Sequence, residues 1–199
     1  MSGRQSPKQV VGGDECAVVS ILTGMEDGSA VEIATIGNEG MVGAPIVIGA
    51  RETVPRGITP VQVPGTVIRI DADRFREQSN DGALRDVAGR YLQAFLAQVS
   101  QQVPCNGLHS VEERCSRWIR LTHDRVKTDE FPPTLEFLSQ LLGVRRASVT
   151  VAAGALQRAG FIRFHRGRLT VLDREGLEGT ACECYMHVRS EFRRLLGSG

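Results

Sequence analysis

Residues 134–150 read Thr-Leu-Glu-Phe-Leu-Ser-Gln-Leu-Leu-Gly-Val-Arg-Arg-Ala-Ser-Val-Thr, two helices and the turn between them. Thr134 stands where a cap is needed, and Leu135, Leu138 and Leu142 then share one side of a short helix over residues 135–142. Gly143 follows at the position where a left-handed residue ends a helix and turns the chain sharply. Val144 plugs the turn, and a second helix is expected over residues 146–159 with Val149, Ala152, Ala153 and Leu156 facing inward. The small side chain of Ser139 lets the two helices cross closely. This is the spacing of a helix-turn-helix, whose second helix enters a major groove of DNA. Arg145, Arg146, Ala147, Ser148 and Thr150 are its exposed N-terminal positions, with Arg145, Arg146, Ser148 and Thr150 the expected base contacts and Thr134 counted among the DNA-binding residues. Arginine there bonds guanine edges or phosphates, and hydroxyls reach either.

The next residues fit the same reading. Gly160 ends the second helix, residues 161–164 read as a strand, His165-Arg166-Gly167 as a turn, and residues 168–172 as the returning strand. A hairpin directly after a helix-turn-helix is a wing. Its tip carries His165, Arg166 and Arg168, placed to sit over a phosphate strand or an adjacent minor groove. The charge agrees. The chain of 199 residues has 24 Lys+Arg against 23 Asp+Glu, a net charge of +1, yet residues 1–101 sum to −3 and residues 102–199 to +4. Residues 132–172 hold six arginines (Arg145, Arg146, Arg158, Arg163, Arg166, Arg168) against the single acid Glu136. Near-neutrality is therefore a property of the sum and not of the parts. A helical hairpin with a merely basic surface is the bland alternative, and it leaves the position-specific residues unexplained.

Working outward, residues 17–70 alternate short Val/Ile-rich pieces with Gly and Pro, the pattern of short antiparallel strands at residues 17–23, 30–36, 58–63 and 66–70. Asp71 caps a short helix to about Phe75, and a long helix is expected over residues 83–103, ending at Pro104. It carries two apolar stripes. Leu84, Ala88, Tyr91 and Phe95 form one; Leu92, Leu96, Val99 and Val103 form the other. Two stripes imply two neighbours, one the chain's own sheet and one a second copy of the helix, with a single broad core face in a monomer as the alternative. The expected dimerisation residues are Leu84, Ala88, Tyr91, Leu92, Phe95, Leu96 and Val99. Ser110-Val111-Glu112-Glu113 is a capping-box start for a helix to about Asp124, with Trp118 in its apolar face. Residues 123–133 read as a polar linker, and a last helix is expected over residues 174–196, capped by Asp173.

Other classes fall away. The longest weakly polar run, residues 42–50, is too short and too broken to span a bilayer, and residues 1–10 have no secretory core. Five cysteines (Cys16, Cys105, Cys115, Cys182, Cys184) point to reduced thiols rather than a disulfide frame, and hence to the cytoplasm. Cys182 and Cys184, with His187, invite a metal reading, but two cysteines that far apart on a helix point about 200° apart. Cys105 and Cys115 lie ten apart across a helix break and offer a weak redox reading. The four histidines (His109, His123, His165, His187) are scattered. No catalytic constellation, metal site or cofactor is expected.

Taken together, these residues resemble the Crp/Fnr superfamily of bacterial transcription regulators, most strongly over residues 108–175, where residues 142–150 look like the family's recognition segment. The resemblance implies an α+β chain: an antiparallel β-roll sensor domain (residues 1–82), a long dimerisation helix (83–107) and a C-terminal winged helix-turn-helix (108–199). It implies a homodimer on a palindromic operator, with RNA polymerase as a further partner. By the same resemblance Arg146 begins base reading, while Ala147 stands where many members carry glutamate and Val151 where they carry a second arginine. The operator sequence of well-known members therefore does not carry over. Nucleotide-binding members hold ribose with a Gly-Glu pair and phosphate with an Arg-Ser/Thr pair. Here residues 36–43 read Ile-Gly-Asn-Glu-Gly-Met-Val-Gly and residues 51–56 Arg-Glu-Thr-Val-Pro-Arg, without the phosphate pair, so tight cyclic-nucleotide binding is not expected. An Fnr-type iron–sulfur centre lacks its N-terminal cysteine cluster. Residues 17–23 resemble a mid-roll strand, which leaves open an incomplete roll or a start upstream of Met1. From a different class, a small-molecule or redox sensor using its winged helix for protein contact is the competing function, and the effector is unknown.

Overall fold

The computed structural model describes residues 8–12, 17–50, 57–126 and 128–197. Cys16 and the loop 51–56, the expected place of a phosphate-binding pair, lie outside the described residues. Ten strands and seven helices are described, all strand pairs antiparallel.

In the N-terminal half, β1 (Lys8–Gly12) lies between two later strands, β4 (Met41–Val42) and β7 (Val67–Asp71). A second sheet is built on β2 (Val18–Gly24), which pairs with β3 (Ala30–Ile36) and with two short strands, β5 (Gly57–Ile58) and β6 (Val61–Val63). The expected strand 58–63 is thus two pieces: Pro60 cannot donate to a ladder, although its carbonyl still accepts from Ser20 N at 3.0 Å. The β2–β3 hairpin closes through Met25–Ser29, where the Asp27 carboxylate accepts from Ser29 N (2.9 Å) and Ser29 Oγ (2.7 Å). Inside, Glu32 is buried and accepts from Ser20 Oγ at 2.6 Å, Thr35 Oγ1 at 3.0 Å and Gln62 Nε2 at 2.8 Å. Burial pushes its carboxyl up to about 7, against these hydrogen bonds and the charges of Arg117 and Arg125.

A 3-10 turn, Ala44–Ile48, and α1 (Ala72–Gln78), capped by Asp71 as expected, lead to α2 (Gly82–Leu108). Pro104 does not end this helix, contrary to the expectation from sequence. A proline removes one N–H, here the donor to the Ser100 carbonyl, and the remaining turn carries Cys105 and His109 onto the C-terminal helices. Ala88 and Tyr91 turn into the chain's own core, where the Tyr91 hydroxyl donates to the Met41 carbonyl at 2.8 Å. Leu84 and Val87, near the start of the helix, are exposed, as are Leu96 and Val103 on the side away from the core.

The helix α3 (Val111–His123) begins with the expected capping box, Ser110 with Glu113. Its Cys115, Trp118 and Ile119 enter a core shared with the C-terminal unit: α4 (Leu135–Leu142), α5 (Arg146–Arg158), β9 (Ile162–His165) and β10 (Arg168–Val171). Cys115 is therefore isolated in that core and does not meet Cys105. Within the expected linker, β8 (Glu130–Phe131) joins β10 as a third wing strand, anchored by the fully buried Phe131. The last helix is two: α6 (Arg174–Thr180), capped by Asp173, and α7 (Cys184–Leu196). Residues 181–183 break it, so Cys182 lies off the helix and the angular argument against its meeting Cys184 does not hold.

Candidate nucleic-acid interface

Local chemistry fixes the shape of the helix pair. Thr134 Oγ1 accepts from Phe137 N at 3.0 Å, capping α4, and Gly143 adopts φ 62°, the left-handed stop that L side chains avoid. Leu138, Leu141 and Leu142 of α4 and Val149, Ala152, Ala153 and Leu156 of α5 are buried, with Ser139 at the crossing donating back to the Glu136 carbonyl at 2.7 Å. Leu141, outside the expected stripe, is buried in place of Leu135, which is only partly covered.

The expected DNA-facing residues lie on the surface. Arg145, Arg146 and Thr150 are exposed and Ser148 half-buried at the start of α5, and Thr134 is exposed at the start of α4. Arg146 is held only loosely by Glu136, 3.8 Å away with both side chains well exposed. The Thr150 hydroxyl donates to the Arg146 carbonyl at 3.0 Å, which keeps it close to its own helix. His165, Arg166 and Arg168 are exposed on the wing, whose turn needs φ 48° at Arg166 and 77° at Gly167. Arg168 pairs with Glu130 of β8, so Arg166 is the freer cation of the tip.

Two exposed residues of α5 complete this face: Ala147 and Val151, the latter 70% exposed. The sequence signal was present, since both fall outside the buried i, i+3, i+4 stripe. An apolar side chain on a groove-facing helix touches thymine methyl groups rather than hydrogen-bonding edges.

Three arginines do something else. Arg114, Arg117 and Arg120 recur every third residue along α3 and are all buried. Arg114 donates to the carbonyl of Leu142, ending α4, and to Asn106 Oδ1 at 2.8 Å, tying the helix pair to α2. Arg117 donates to Gln102 Oε1 at 2.7 Å. Arg120 donates to Tyr185 Oη at 2.6 Å and Glu178 Oε2 at 2.8 Å, with its guanidinium 4.9 Å from the Tyr185 ring centre. The basic excess of the C-terminal half therefore splits into a buried frame on α3 and an exposed face on α5 and the wing.

Glu39, the carboxylate of the 36–43 loop, receives Arg125 Nε at 2.7 Å and Gly37 N at 3.2 Å, both ionic side chains being nearly buried. It is already committed.

Residues 113–180, which hold α4, α5 and the wing, match the Crp-like helix-turn-helix domain. The chain as a whole has the fold of a CRP/FNR-family transcriptional regulator from Thermus thermophilus (TM-score 0.68, 19% identity, covering 90% of this chain and 89% of that one). A second regulator of the CRP family from the same organism gives a TM-score of 0.67 at 16% identity, over 89% and 94% of the two chains. FixK2 of Bradyrhizobium japonicum gives 0.68 at 15% identity, over 88% and 86%. No curated protein matches the chain in sequence. No described helix is long and apolar enough to cross a membrane.

Proposed function

We propose that the chain is a sequence-specific DNA-binding transcription regulator that acts as a homodimer on a palindromic operator. The observation that carries this is the exposed face of α5, with Arg145, Arg146, Ala147, Ser148, Thr150 and Val151 held proud of a glycine turn and flanked by an arginine-tipped wing. Two copies related by a two-fold axis place their recognition helices in successive major grooves, with half-sites about 34 Å apart. The apolar outer edge of α2 supplies the surface on which the copies meet, and RNA polymerase is the further partner this architecture implies. Cyclic nucleotides do not drive it: the buried Glu39–Arg125 pair takes up the loop carboxylate that would meet a ribose.

The test is selection of a binding site from random DNA across a salt series. A selected palindrome with steep salt dependence is expected. On that site Arg146→Ala costs about 1–3 kcal/mol and relaxes preference at one base position, whereas Arg166→Ala weakens all sequences alike and lowers the salt slope by about one. Selection without enrichment, or two variants that bind like the parent, overturns the assignment. Calorimetry with cyclic AMP should show no saturable micromolar binding.

A further inference from the structure

The break between α6 and α7 and the extra turn of α2 beyond Pro104 have a joint result. They bring Cys105, His109, Cys182 and Cys184 together, all four donor atoms within 4.8 Å of one another. Cys105 Sγ lies 3.6 Å from Cys182 Sγ, and Cys184 Sγ lies 3.6 Å from His109 Nδ1. Cys105 and Cys184 are fully buried and Cys182 nearly so. We propose that these four residues form a closed tetrahedral site for zinc(II), with three thiolates and the Nδ1 of His109 as ligands.

The Cys105–Cys182 and Cys184–His109 separations are those such an ion sets. Bonds of about 2.3 Å to sulfur and about 2.0–2.1 Å to nitrogen put neighbouring ligands of a tetrahedron about 3.8 Å (S to S) and about 3.6 Å (S to N) apart. A disulfide would bring its sulfurs to about 2.05 Å, far inside the observed separation. An iron–sulfur cube spreads its thiolates over separate irons, so a cluster of donors this tight suits one ion. The helical spacing serves the same end: Cys105 and His109, four apart, present both donors on one face of the last turn of α2.

The surroundings are those of a loaded site. The other ring nitrogen of His109, Nε2, faces Glu183 Oε2 at 3.0 Å, a carboxylate–histidine arrangement that holds the proton on Nε2 and leaves the Nδ1 lone pair turned to the sulfurs. Gln101 Nε2 donates to Cys184 Sγ at 3.1 Å, a bond that a thiolate accepts better than a thiol. Three thiolates and a dication leave one negative charge. Arg117, buried, keeps Nε and Nη1 without a hydrogen-bond partner among the described residues. Loading releases thiol protons and fastens α7 to the end of α2, across a sequence separation of 77 residues for Cys105 and Cys182. Four protein ligands leave no open position, so the ion's role is structural. The site stands whether or not the reading head binds DNA.

The experiment uses the full-length chain purified under reducing conditions, with elemental analysis for zinc and iron and with cobalt(II) as an optical probe. About one zinc per chain is expected. Protein stripped of metal and titrated with cobalt(II) should show sulfur-to-cobalt charge-transfer bands in the near ultraviolet and the visible bands of tetrahedral cobalt, displaced by zinc. Cys182→Ser/Cys184→Ser should lose both zinc and cobalt signals, and Cys115→Ala, whose thiol lies in the separate core, should keep them. The cobalt titration of the unaltered chain decides the matter even if the double variant fails to fold. Reduced protein that takes up neither ion, a bound iron–sulfur chromophore, or zinc retained by a folded double variant overturns the proposal.

Discussion

At the scale of single residues, Glu32 is the clearest case of a side chain working against its environment. It is 4% exposed among Ser20, Thr35 and Gln62, and Gln62 in turn accepts from Thr122 of α3 at 3.3 Å, so the network joins sheet to helix. Its carboxyl holds a proton up to about 7 in the fold and to about 4.5 when exposed. The folded state therefore binds the proton more tightly, and stability present below pH 4.5 is lost as pH rises through 7. Glu32→Gln keeps the acceptor and removes the titration. Urea midpoints of parent and variant, measured from about pH 5 to about pH 8, should diverge, the parent falling relative to the variant. Parallel profiles would show that Glu32 ionises freely. Apart from Thr35, three residues on, nothing in the neighbouring sequence announced this, because the other partners come from 12 and 30 residues away.

Elements whose causes are local were legible, and those whose causes are distant were not. The α4–turn–α5 unit carries its own instructions: a threonine cap, a left-handed glycine, and apolar residues at helical spacing. The wing carries a turn signal between two short strands, and α3 a capping box. By contrast, the end of α2 is decided by the packing of Cys105 on Cys182 and Cys184, partners 77 or more residues away, and that packing outweighs proline's loss of one hydrogen bond. The split of the last helix at 181–183 is marked only by Gly179, which α6 takes into its last turn, and β8 is too short to show a period. The same contrast explains the candidate site. Arg145, Arg146 and the wing residues follow from the motif alone, whereas the burial of Arg114, Arg117 and Arg120 follows only from what surrounds α3. A packing prediction belongs at this scale: Leu156 is fully buried between α5 and the wing, and Leu156→Ala should destabilise by about 2–5 kcal/mol in urea unfolding. A loss under about 1 kcal/mol would mean that the site collapses freely or that the reading head unfolds separately.

For the molecule as a whole, α2 divides into an inward and an outward side, and the proposed dimer rests on the second. Tyr91, Ala94, Gln98, Gln102 and Cys105 face the chain's own core, while Leu96 is 54% and Val103 76% exposed on the other side. Leu92, Phe95 and Val99 lie at the margin, half-buried. An apolar edge of this length along a 27-residue helix is costly to leave in water. Leu96→Glu with Val103→Glu should convert a dimer into a monomer by sedimentation equilibrium and abolish tight operator binding, with the helical circular dichroism of the protomer retained. A parent that sediments as a monomer at micromolar concentration would remove the two-fold arrangement. The charge of the chain divides in the same spirit, since the arginines of α3 are buried at the junction and those at the start of α5 and on the wing are exposed.

The turn at Gly143 reaches beyond the helix pair. A Cβ placed there would come within 3.1 Å of Val31 Cγ2 on β3, so sheet and reading head meet at a point where one has no side chain and the other a branched one. Such a point is a shared allotment of volume between two parts of the gene that are otherwise free to drift. Among descendants of this sequence, position 31 should stay no bulkier than valine wherever position 143 stays glycine, and the two should change together. The history of the reading head is then partly written in the sheet.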